Sequence, residues 1–225
     1  MPGTNGVTGG AEDHQRRQAM VSNQLRRRDI TDARVLQAMS QVPRHLFVPD
    51  EWQDEAYSDR ALPIGSGQSI SQPYMVALML QLLALSPQDR VLEIGAGSGY
   101  QTALLSRLAA QVYSVEYVAA LADRARTQLD RLGYDKAHIR VGDGGQGYAD
   151  AAPYDAIVVA AAAPKTPPLL LQQLADGGRL VIPVGTPTEQ DLWVITRRSE
   201  TYCQRRSVKC RFVLLRGEEG WNNPA

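Results

Sequence analysis

Polar side chains and glycines are concentrated in the stretch GSGQSISQP, residues 65–73. It holds three serines and ends in a proline, just where an apolar helical pattern begins. Flexible linkers have this kind of composition. Pocket walls have it too, where a few hydroxyl and amide groups orient a ligand. The stretch by itself leaves both interpretations open.

A second stretch, VLEIGAGSG at residues 91–99, predicts a strand that runs into a glycine-rich turn and then a helix. Glycines allow the backbone to approach a ligand closely, and a helix N-terminus offers free N–H groups. The next predicted strand ends in Glu116, at the spacing expected of an acid that binds a ribose. After the third strand, Asp143 could accept a hydrogen bond from an adenine amino group. These features predict a ligand that contains a nucleoside.

The position of Glu93 distinguishes two such ligands. A nicotinamide enzyme has the pattern G-x-G-x-x-G, which lays a pyrophosphate over the start of the helix. Here the pattern is Glu-x-Gly-x-Gly-x-Gly, with the acid ahead of Gly95. A carboxylate repels a pyrophosphate but attracts the ammonium group of an amino-acid ligand. The pattern therefore favours S-adenosylmethionine, which carries both an ammonium group and an adenosine, over NAD.

The histidines form no catalytic or metal-binding constellation. His14, His45 and His138 are far apart, and the chain has neither a G-x-S-x-G elbow nor an H-E-x-x-H pair. We interpret all three as surface or loop histidines. We therefore expect no hydrolase nucleophile of the familiar types and no metal site.

Two cysteines and three acids are further candidates for chemistry. Cys203 and Cys210 lack C-x-x-C spacing and are interpreted as reduced thiols. The acids Asp54, Glu55 and Asp59 lie close to the stretch at 65–73 and could serve as catalytic carboxylates. A solvated loop explains these acids more simply, and we favour that interpretation.

Strands and helices that alternate along the chain must position these residues. This alternation predicts a doubly wound, Rossmann-like α/β sheet that is covered on both faces. The main predicted strands are Arg90–Ile94, Val112–Glu116, Ile139–Val141, Tyr154–Ala160 and Arg179–Val184. A further antiparallel pair is predicted from Leu192–Arg197 and Arg211–Leu215.

The chain divides into three regions that form one domain. Residues 1–11 are polar and glycine-rich, which predicts a disordered head. Residues 12–73 predict an appendage of N-terminal helices, over 12–28 and 32–41, followed by a long irregular loop on the substrate side. Residues 74–225 predict the core that binds the methyl donor.

Charge and hydropathy argue against several classes of partner. Twenty-four basic residues balance twenty-four acidic ones, so no net charge attracts nucleic acid or an anionic membrane. No apolar run approaches the roughly 18 residues of a membrane helix. The N-terminus has no apolar signal segment. We expect a cytoplasmic monomer with neither nucleic-acid nor membrane partners.

Several longer motifs together resemble the protein-L-isoaspartate (D-aspartate) O-methyltransferase family. They run from Gln18 to Trp221 and include VPRHLFVP, AYSDRALPIGSGQSISQP, RVLEIGAGSGYQTA, VGDGGQGY, APYDAIVVAAAAP, LADGGRLVIPVG and RFVLLRG. The glycine loop alone is typical of methyltransferases in general. The element ALPIG-x-GQ-[ST]-ISQP is specific to this family, so the stretch at 65–73 carries most of the resemblance.

The resemblance implies transfer of a methyl group from S-adenosylmethionine to the α-carboxylate of L-isoaspartyl residues in damaged proteins, which starts their repair to aspartyl. It implies a Rossmann-like methyltransferase sheet with an unusual strand order at its C-terminal edge. The active-site serine of the family falls on Ser71. The donor-binding residues that it implies are Gln68, Ser69, Ile70, Glu93, Gly95, Ala96, Gly97, Glu116, Tyr117, Asp143 and Gly144.

This chemistry needs no nucleophile from the protein. A carboxylate with a pKa of roughly 3.5 is already ionised at neutral pH and needs no general base. What remains is alignment of the reacting atoms and exclusion of water. We therefore expect the Ser71 hydroxyl to orient the acceptor by hydrogen bonding, without a covalent intermediate.

Four positions depart from the family pattern. Asp29 stands where glycine is usual, Leu214 replaces a proline, Gly145 replaces a bulkier residue, and Ser69 replaces a threonine. The change at Ser69 keeps a hydroxyl and is expected to be silent. Leu214 lies in a segment that borders the substrate in the family, so acceptor selection could differ.

Three other functions remain open at this stage. The chain could methylate an aspartate in one dedicated peptide, although no extra domain for peptide capture is visible. It could be a non-catalytic donor-binding protein, although the intact GQSISQP argues for an acceptor pocket. An NAD oxidoreductase is disfavoured by Glu93 and by the glycine spacing.

Overall fold

The structure is a computed structural model, and it describes residues 8–221 of the chain. Its α-helices are α1 (Thr8–Met20), α2 (Ala33–Gln41), α3 (Pro73–Leu83), α4 (Tyr100–Leu108), α5 (Ala119–Arg131) and α6 (Pro168–Gln172). Its strands are β1 (Leu62–Gly65), β2 (Gln68–Ile70), β3 (Arg90–Ile94), β4 (Gln111–Glu116), β5 (Ala137–Val141), β6 (Tyr154–Val159), β7 (Leu174–Gly185), β8 (Gln190–Arg198) and β9 (Thr201–Cys210).

Seven of these strands form one sheet in the order β5-β4-β3-β6-β7-β8-β9. Strands β3 to β7 run parallel, and β8 is antiparallel to both of its neighbours. The order reverses at β3, which lies between β4 and β6. In open α/β sheets, ligands bind outside the carboxyl ends of the strands at such a reversal. The predicted Rossmann-like fold is confirmed, including the unusual C-terminal edge.

Both faces of the sheet are buried. In β6, Ala156 and Val158 join the hydrophobic core on one side, while Ile157 and Val159 join the core on the other. Helices α2 to α5 contribute to the first core, and α6 contributes to the second. Successive side chains of a central strand are thus buried on opposite faces of the sheet, which is why these strands appear as continuous apolar runs in the sequence.

The N-terminal appendage begins earlier than the sequence predicts. Residues 8–11, which we assigned to a disordered head, belong to α1, and residues 1–7 lie outside the described range. An ion pair of 2.6 Å between Glu12 and Arg16, one turn apart, supports the start of this helix. Asp32 is the N-cap of α2, and its carboxylate accepts hydrogen bonds from the main-chain N–H groups of Arg34 and Val35.

The C-terminal strand pair was predicted with the wrong partner. Strand β8 pairs with β9, whereas residues 211–215 leave the sheet and form a single parallel bridge between Leu214 and Ala162. Most side chains of β9 are exposed, so this strand lacks the apolar alternation that would reveal it in the sequence. The apolar residues of 211–215 are instead used to close a pocket, which is described below.

The stretch at 65–73 belongs to a two-stranded antiparallel hairpin that the sequence did not predict. Strands β1 and β2 pair, and the tip has positive φ at both central residues, 54° at Ser66 and 69° at Gly67. Two positive φ values are characteristic of the type I′ turns that suit tight hairpins. Ser66 is exposed at this tip, as expected.

We expect the replacement of Ser66 by Asn to raise the free energy of unfolding by about 0.5 kcal/mol, because Asn adopts the left-handed conformation at lower cost than Ser. Urea unfolding of the two proteins measures the difference. An unchanged or lower unfolding midpoint for Ser66→Asn would contradict this prediction.

Within residues 8–221, no helix has the length and apolar character needed to cross a membrane.

Candidate active site

A pocket lies at the carboxyl ends of β3, β4 and β6, at the reversal of the strand order. The glycine loop, the β1–β2 hairpin and the segment after β9 form its walls. It is lined by Gln68, Ser69, Ile70, Ser71, Val76, Ile94, Gly95, Ala96, Gly97, Ser98, Tyr100, Gln101, Val115, Glu116, Tyr117, Val118, Gly144, Ala160, Ala161, Val213, Leu214, Leu215 and Arg216. The structure therefore brings together nine of the eleven predicted donor-binding residues, and Ser71 with them.

The Glu116 carboxylate fixes the glycine loop at the floor of this pocket. One of its oxygens accepts from the main-chain N–H of Gly97 at 2.8 Å, and the other accepts from that of Val118 at 2.9 Å. Glu116 is 5% exposed, so these hydrogen bonds to a charged group form largely away from water. Each carboxylate oxygen keeps a lone pair that could accept from a ligand hydroxyl.

Glu93 lies beneath the pocket rather than in its wall. Its side chain is 0% exposed, and one oxygen accepts from the Thr102 hydroxyl at 2.5 Å and from the Ser114 hydroxyl at 2.6 Å. Burial raises the pKa of Glu93 from 4.5 to about 7, and the two hydroxyls oppose this rise only in part. Glu93 thus ties β3 to α4 and β4 under the glycine loop.

The raised pKa of Glu93 predicts a pH-dependent stability. A group whose folded pKa lies above its unfolded value stabilises the fold fully below the unfolded pKa, and loses that contribution as the pH rises through the folded pKa. The window is therefore about pH 4.5 to 7. A shift of this size corresponds to about 3 kcal/mol. We expect Glu93→Gln to remove this fall in the free energy of unfolding, as measured by urea unfolding at several pH values. Parallel pH profiles for the two proteins would contradict the assignment.

The β1–β2 hairpin forms the wall opposite the glycine loop. Ile64 of β1 packs over Gly97, whose added Cβ would lie 3.4 Å from the Ile64 Cδ1 atom. From α5, the Arg124 guanidinium donates to the Ile64 carbonyl at 2.7 Å. The hairpin is therefore docked on the loop and on α5, and the QSIS segment faces the pocket from this support.

Ser71 lies between the hairpin and α3. The next residue, Gln72, donates from its side chain to the main-chain carbonyl of Asp59 at 3.0 Å, and Pro73 occupies the first turn of α3. Within residues 8–221, the Ser71 hydroxyl makes no side-chain hydrogen bond, and the pocket wall contains no histidine, lysine or cysteine. The carboxylate in the pocket wall, that of Glu116, is bonded to the main-chain N–H groups of Gly97 and Val118 and not to the Ser71 hydroxyl.

Asp143, like Glu93, lies outside the pocket wall. Its carboxylate accepts from the main-chain N–H groups of Gly145 and Glu218, both at 2.8 Å. Its neighbour Gly144 does line the pocket, and Tyr117 lies at the rim, where it is 51% exposed.

The other candidate residues lie away from the pocket. Asp54 and Glu55 take part in surface ion pairs with arginines, in agreement with the solvated-loop interpretation. Asp59 differs, because it pairs with Arg28 through one oxygen while its other oxygen is buried. His45 is more constrained than predicted, because its ring contacts the Tyr57 hydroxyl at 2.7 Å. Burial lowers the pKa of His45, so its neutral form is favoured.

Sequence reasoning missed part of the pocket wall. The residues not predicted include Val76, Gln101, Ala160, Ala161 and Arg216. Ala160 and Ala161 follow β6, so the rule that ligands bind at the ends of parallel strands could have identified them. Arg216 lies two residues after Leu214, in the segment that borders the substrate in the family, so the resemblance could have identified it.

Comparison with known proteins assigns this pocket to a family. The family model for protein-L-isoaspartate(D-aspartate) O-methyltransferase matches residues 15–220. The chain belongs to this family. It is 52% identical over 206 residues to the protein-L-isoaspartate O-methyltransferase of Syntrophus aciditrophicus, a match that covers 90% of this chain and 94% of that protein. It is 55% identical over 205 residues to the Roseiflexus castenholzii enzyme of the same name, covering 91% and 94%.

Solved structures of the family have the same fold. One protein-L-isoaspartate O-methyltransferase superposes with a TM-score of 0.83 at 26% identity, over 92% of this chain and 67% of that chain. A Plasmodium falciparum member of the family, in complex with S-adenosyl-L-homocysteine, gives a TM-score of 0.78 at 28% identity, over 89% and 98%.

The pocket fits the methyl donor chemically. The glycine loop leaves space beside the start of α4, where Gly95 and Gly97 have positive φ values of 90° and 54°. Glu116 offers acceptor oxygens, and Val115 and Leu215 offer apolar walls. A polar and an apolar lining together match a ligand with an adenosine at one end and an amino acid at the other.

Proposed function

We infer that this chain transfers a methyl group from S-adenosylmethionine to the α-carboxylate of L-isoaspartyl residues in damaged proteins, and so initiates their repair to aspartyl residues. The observation that carries this inference is the QSIS segment of the hairpin, which faces the glycine loop and Glu116 across one pocket. When bound, the donor supplies a methyl group on a positively charged sulfur. Family membership over residues 15–220 gives the same activity.

We propose that the donor-binding residues act in two layers. Those in contact with the donor are Gln68, Ser69, Ile70, Gly95, Ala96, Gly97, Glu116, Tyr117 and Gly144. Glu116 accepts from the ribose hydroxyls while it holds the N–H groups of Gly97 and Val118. Glu93 and Asp143 support the wall from behind, because neither of them lines the pocket.

We propose that Ser71 orients the acceptor. An ionised carboxylate is itself the nucleophile, so the protein has to align it and exclude water. The Ser71 hydroxyl can donate to one carboxylate oxygen and leave the other free to accept the methyl group. The hairpin supplies the alignment, since Arg124 and Ile64 fix it against the glycine loop and α5.

One experiment separates this function from its alternatives. Two synthetic peptides, identical except for one isoaspartyl or aspartyl linkage, are incubated with the protein and methyl-labelled S-adenosylmethionine. Labelling of the isoaspartyl peptide alone is the expected result. Labelling of the aspartyl peptide alone would indicate a methyltransferase for a dedicated peptide. Labelling of neither would favour a non-catalytic binding protein.

We also propose that the protein acts as a cytoplasmic monomer without nucleic-acid or membrane partners. The formal net charge of zero and the two free thiols, Cys203 and Cys210, support this proposal. Light scattering coupled to size-exclusion chromatography tests the oligomeric state, and a dimer mass would contradict it.

A further inference from the structure

The segment 213–221 folds back over the donor pocket, and we call it the strap. Its first part, Val213 to Arg216, lies in the pocket wall. The Leu215 N–H donates to the Ala162 carbonyl at 2.8 Å, which attaches the strap to the end of β6. The Trp221 N–H donates back to the Leu215 carbonyl at 2.9 Å and folds the strap into a loop. The strap is therefore an ordered wall of the pocket that comes from the far end of the chain.

Asp143 anchors this strap. One carboxylate oxygen accepts from the Glu218 N–H at 2.8 Å, while the other accepts from the Gly145 N–H in its own turn. Two further contacts hold the same part of the strap, from the Gln146 side chain to the Glu218 carboxylate at 2.9 Å and from Lys165 to the Glu219 carboxylate at 3.4 Å. Of these three contacts, only the one from Asp143 holds the main chain of the strap.

Glycines bring the strap closer to the turn at 142–145 than side chains would allow. A Cβ added to Gly217 would lie 2.1 Å from an oxygen of the Asp143 carboxylate. A Cβ added to Gly145 would lie 2.9 Å from the Glu219 Cβ atom. Gly145 is one of the departures from the family pattern, and here it provides the room into which the strap packs.

We propose that Asp143 is a positioning residue for the methyl donor, because its carboxylate holds the strap closed as one wall of the pocket. Gly144 and the residues Leu214 to Arg216 all line the pocket, and a Cβ added to Gly144 would lie 3.7 Å from the Leu215 Cδ1 atom, so the anchor joins two neighbouring segments of the wall. Opening of the strap removes the apolar contact of Leu215 and exposes the donor to water. Donor affinity and the rate of donor release therefore depend on the anchor. This inference rests on the proposed function.

Two variants test the anchor from its two sides. Asp143→Asn replaces one of the two carboxylate oxygens by an NH2 group, so either the Gly145 N–H or the Glu218 N–H loses its acceptor. Gly217→Ala leaves the Asp143 carboxylate intact but pushes the strap away from it, and Gly217 does not line the pocket. Asp150→Asn is the matched control, since Asp150 is exposed a few residues further along the chain.

The measurements are the affinity and dissociation rate of S-adenosyl-L-homocysteine, and hydrogen exchange of the amides at 216–221. We expect both variants to weaken binding by about tenfold or more, through faster dissociation, as is typical for loss of a hydrogen bond to a charged group. Exchange at the Glu218 amide should be faster in both variants. Asp150→Asn should match the wild type in both measurements.

Four results would overturn the proposal or its basis. Weaker binding in Asp143→Asn alone, with normal binding in Gly217→Ala, indicates a direct contact of Asp143 with the donor. Faster hydrogen exchange at 216–221 with unchanged affinity for S-adenosyl-L-homocysteine shows that the strap is no part of the donor site. Wild-type exchange and affinity in both variants show that Asp143 does not anchor the strap. Absence of binding by the wild type overturns the proposed function itself. If Gly217→Ala does not fold, Gly145→Ala gives the same comparison, because its Cβ would lie 2.9 Å from the Glu219 Cβ atom and push the strap away from the turn, while Gly145 does not line the pocket.

Discussion

Replacement of Ser71 by Ala should lower the turnover number by roughly 100-fold while S-adenosyl-L-homocysteine binds with nearly unchanged affinity. The reason is that Ser71 lines the pocket at the end of the hairpin, whereas we propose that Glu116 and the glycine loop hold the donor. Loss of the hydroxyl misaligns the acceptor carboxylate without disturbing the donor. Steady-state kinetics with an isoaspartyl peptide and calorimetry with S-adenosyl-L-homocysteine measure the two quantities.

Ser66→Ala is the matched control for this variant. Ser66 lies in the same hairpin, but it is exposed at the tip and is absent from the pocket wall. It should therefore have wild-type turnover. A covalent adduct on Ser71, trapped during turnover and found by mass spectrometry, would contradict the positioning role. An unchanged turnover number in Ser71→Ala would contradict it as well.

The second large effect is expected for Glu116→Gln, which should weaken binding of S-adenosyl-L-homocysteine by roughly 100-fold, because hydrogen bonds to charged groups contribute about 1.5–3 kcal/mol each. Both carboxylate oxygens accept from main-chain N–H groups, those of Gly97 and Val118. An amide has only one acceptor oxygen, so its NH2 group must face an N–H group. The glycine loop then loses a support, and a ribose hydroxyl loses an acceptor.

Glu200→Gln provides the same chemical change at an exposed turn between β8 and β9. It should bind S-adenosyl-L-homocysteine like the wild type. Calorimetric titration of the three proteins decides the matter. Equal affinities for Glu116→Gln and the wild type would show that Glu116 has no role in the donor site.

The sequence predicted the site and the fold best where a residue type at a given spacing has a single structural or chemical role. The glycine spacing, the acid at the end of β4 and the resemblance carried by GQSISQP predicted the ligand class and ten of the 23 residues that line the pocket. Runs of apolar residues predicted the central parallel strands, because both faces of these strands are buried. Strands β1 and β2 were missed because they are only four and three residues long, and β9 was missed because most of its side chains are exposed.

Glu93 and Asp143 illustrate the limit of spacing arguments. Glu93 was predicted as a ligand-binding acid from its place just before the first glycine of the loop, and Asp143 from its place after the third predicted strand. In the structure, Glu93 is buried under the glycine loop against Thr102 and Ser114, and Asp143 holds the main chain of the strap. Spacing places an acid at the right end of the right strand, but the contacts of its side chain depend on which segments pack against it.

The amino-acid sequence alone indicated that this chain is an α/β methyltransferase of the isoaspartate-repair family, and it led to the proposal that Ser71 orients the acceptor. It could do so because residue types at a fixed spacing along the chain indicate the ligand class and the family without any knowledge of the tertiary contacts. Only the tertiary structure showed how the pocket is closed, by a hairpin at one place and by the strap at another. The hairpin at 62–70 and the strap at 213–221 are separated by more than half of the sequence. They meet over one pocket because the hairpin docks on the glycine loop and α5, while the strap is bonded to Ala162 in the segment after β6.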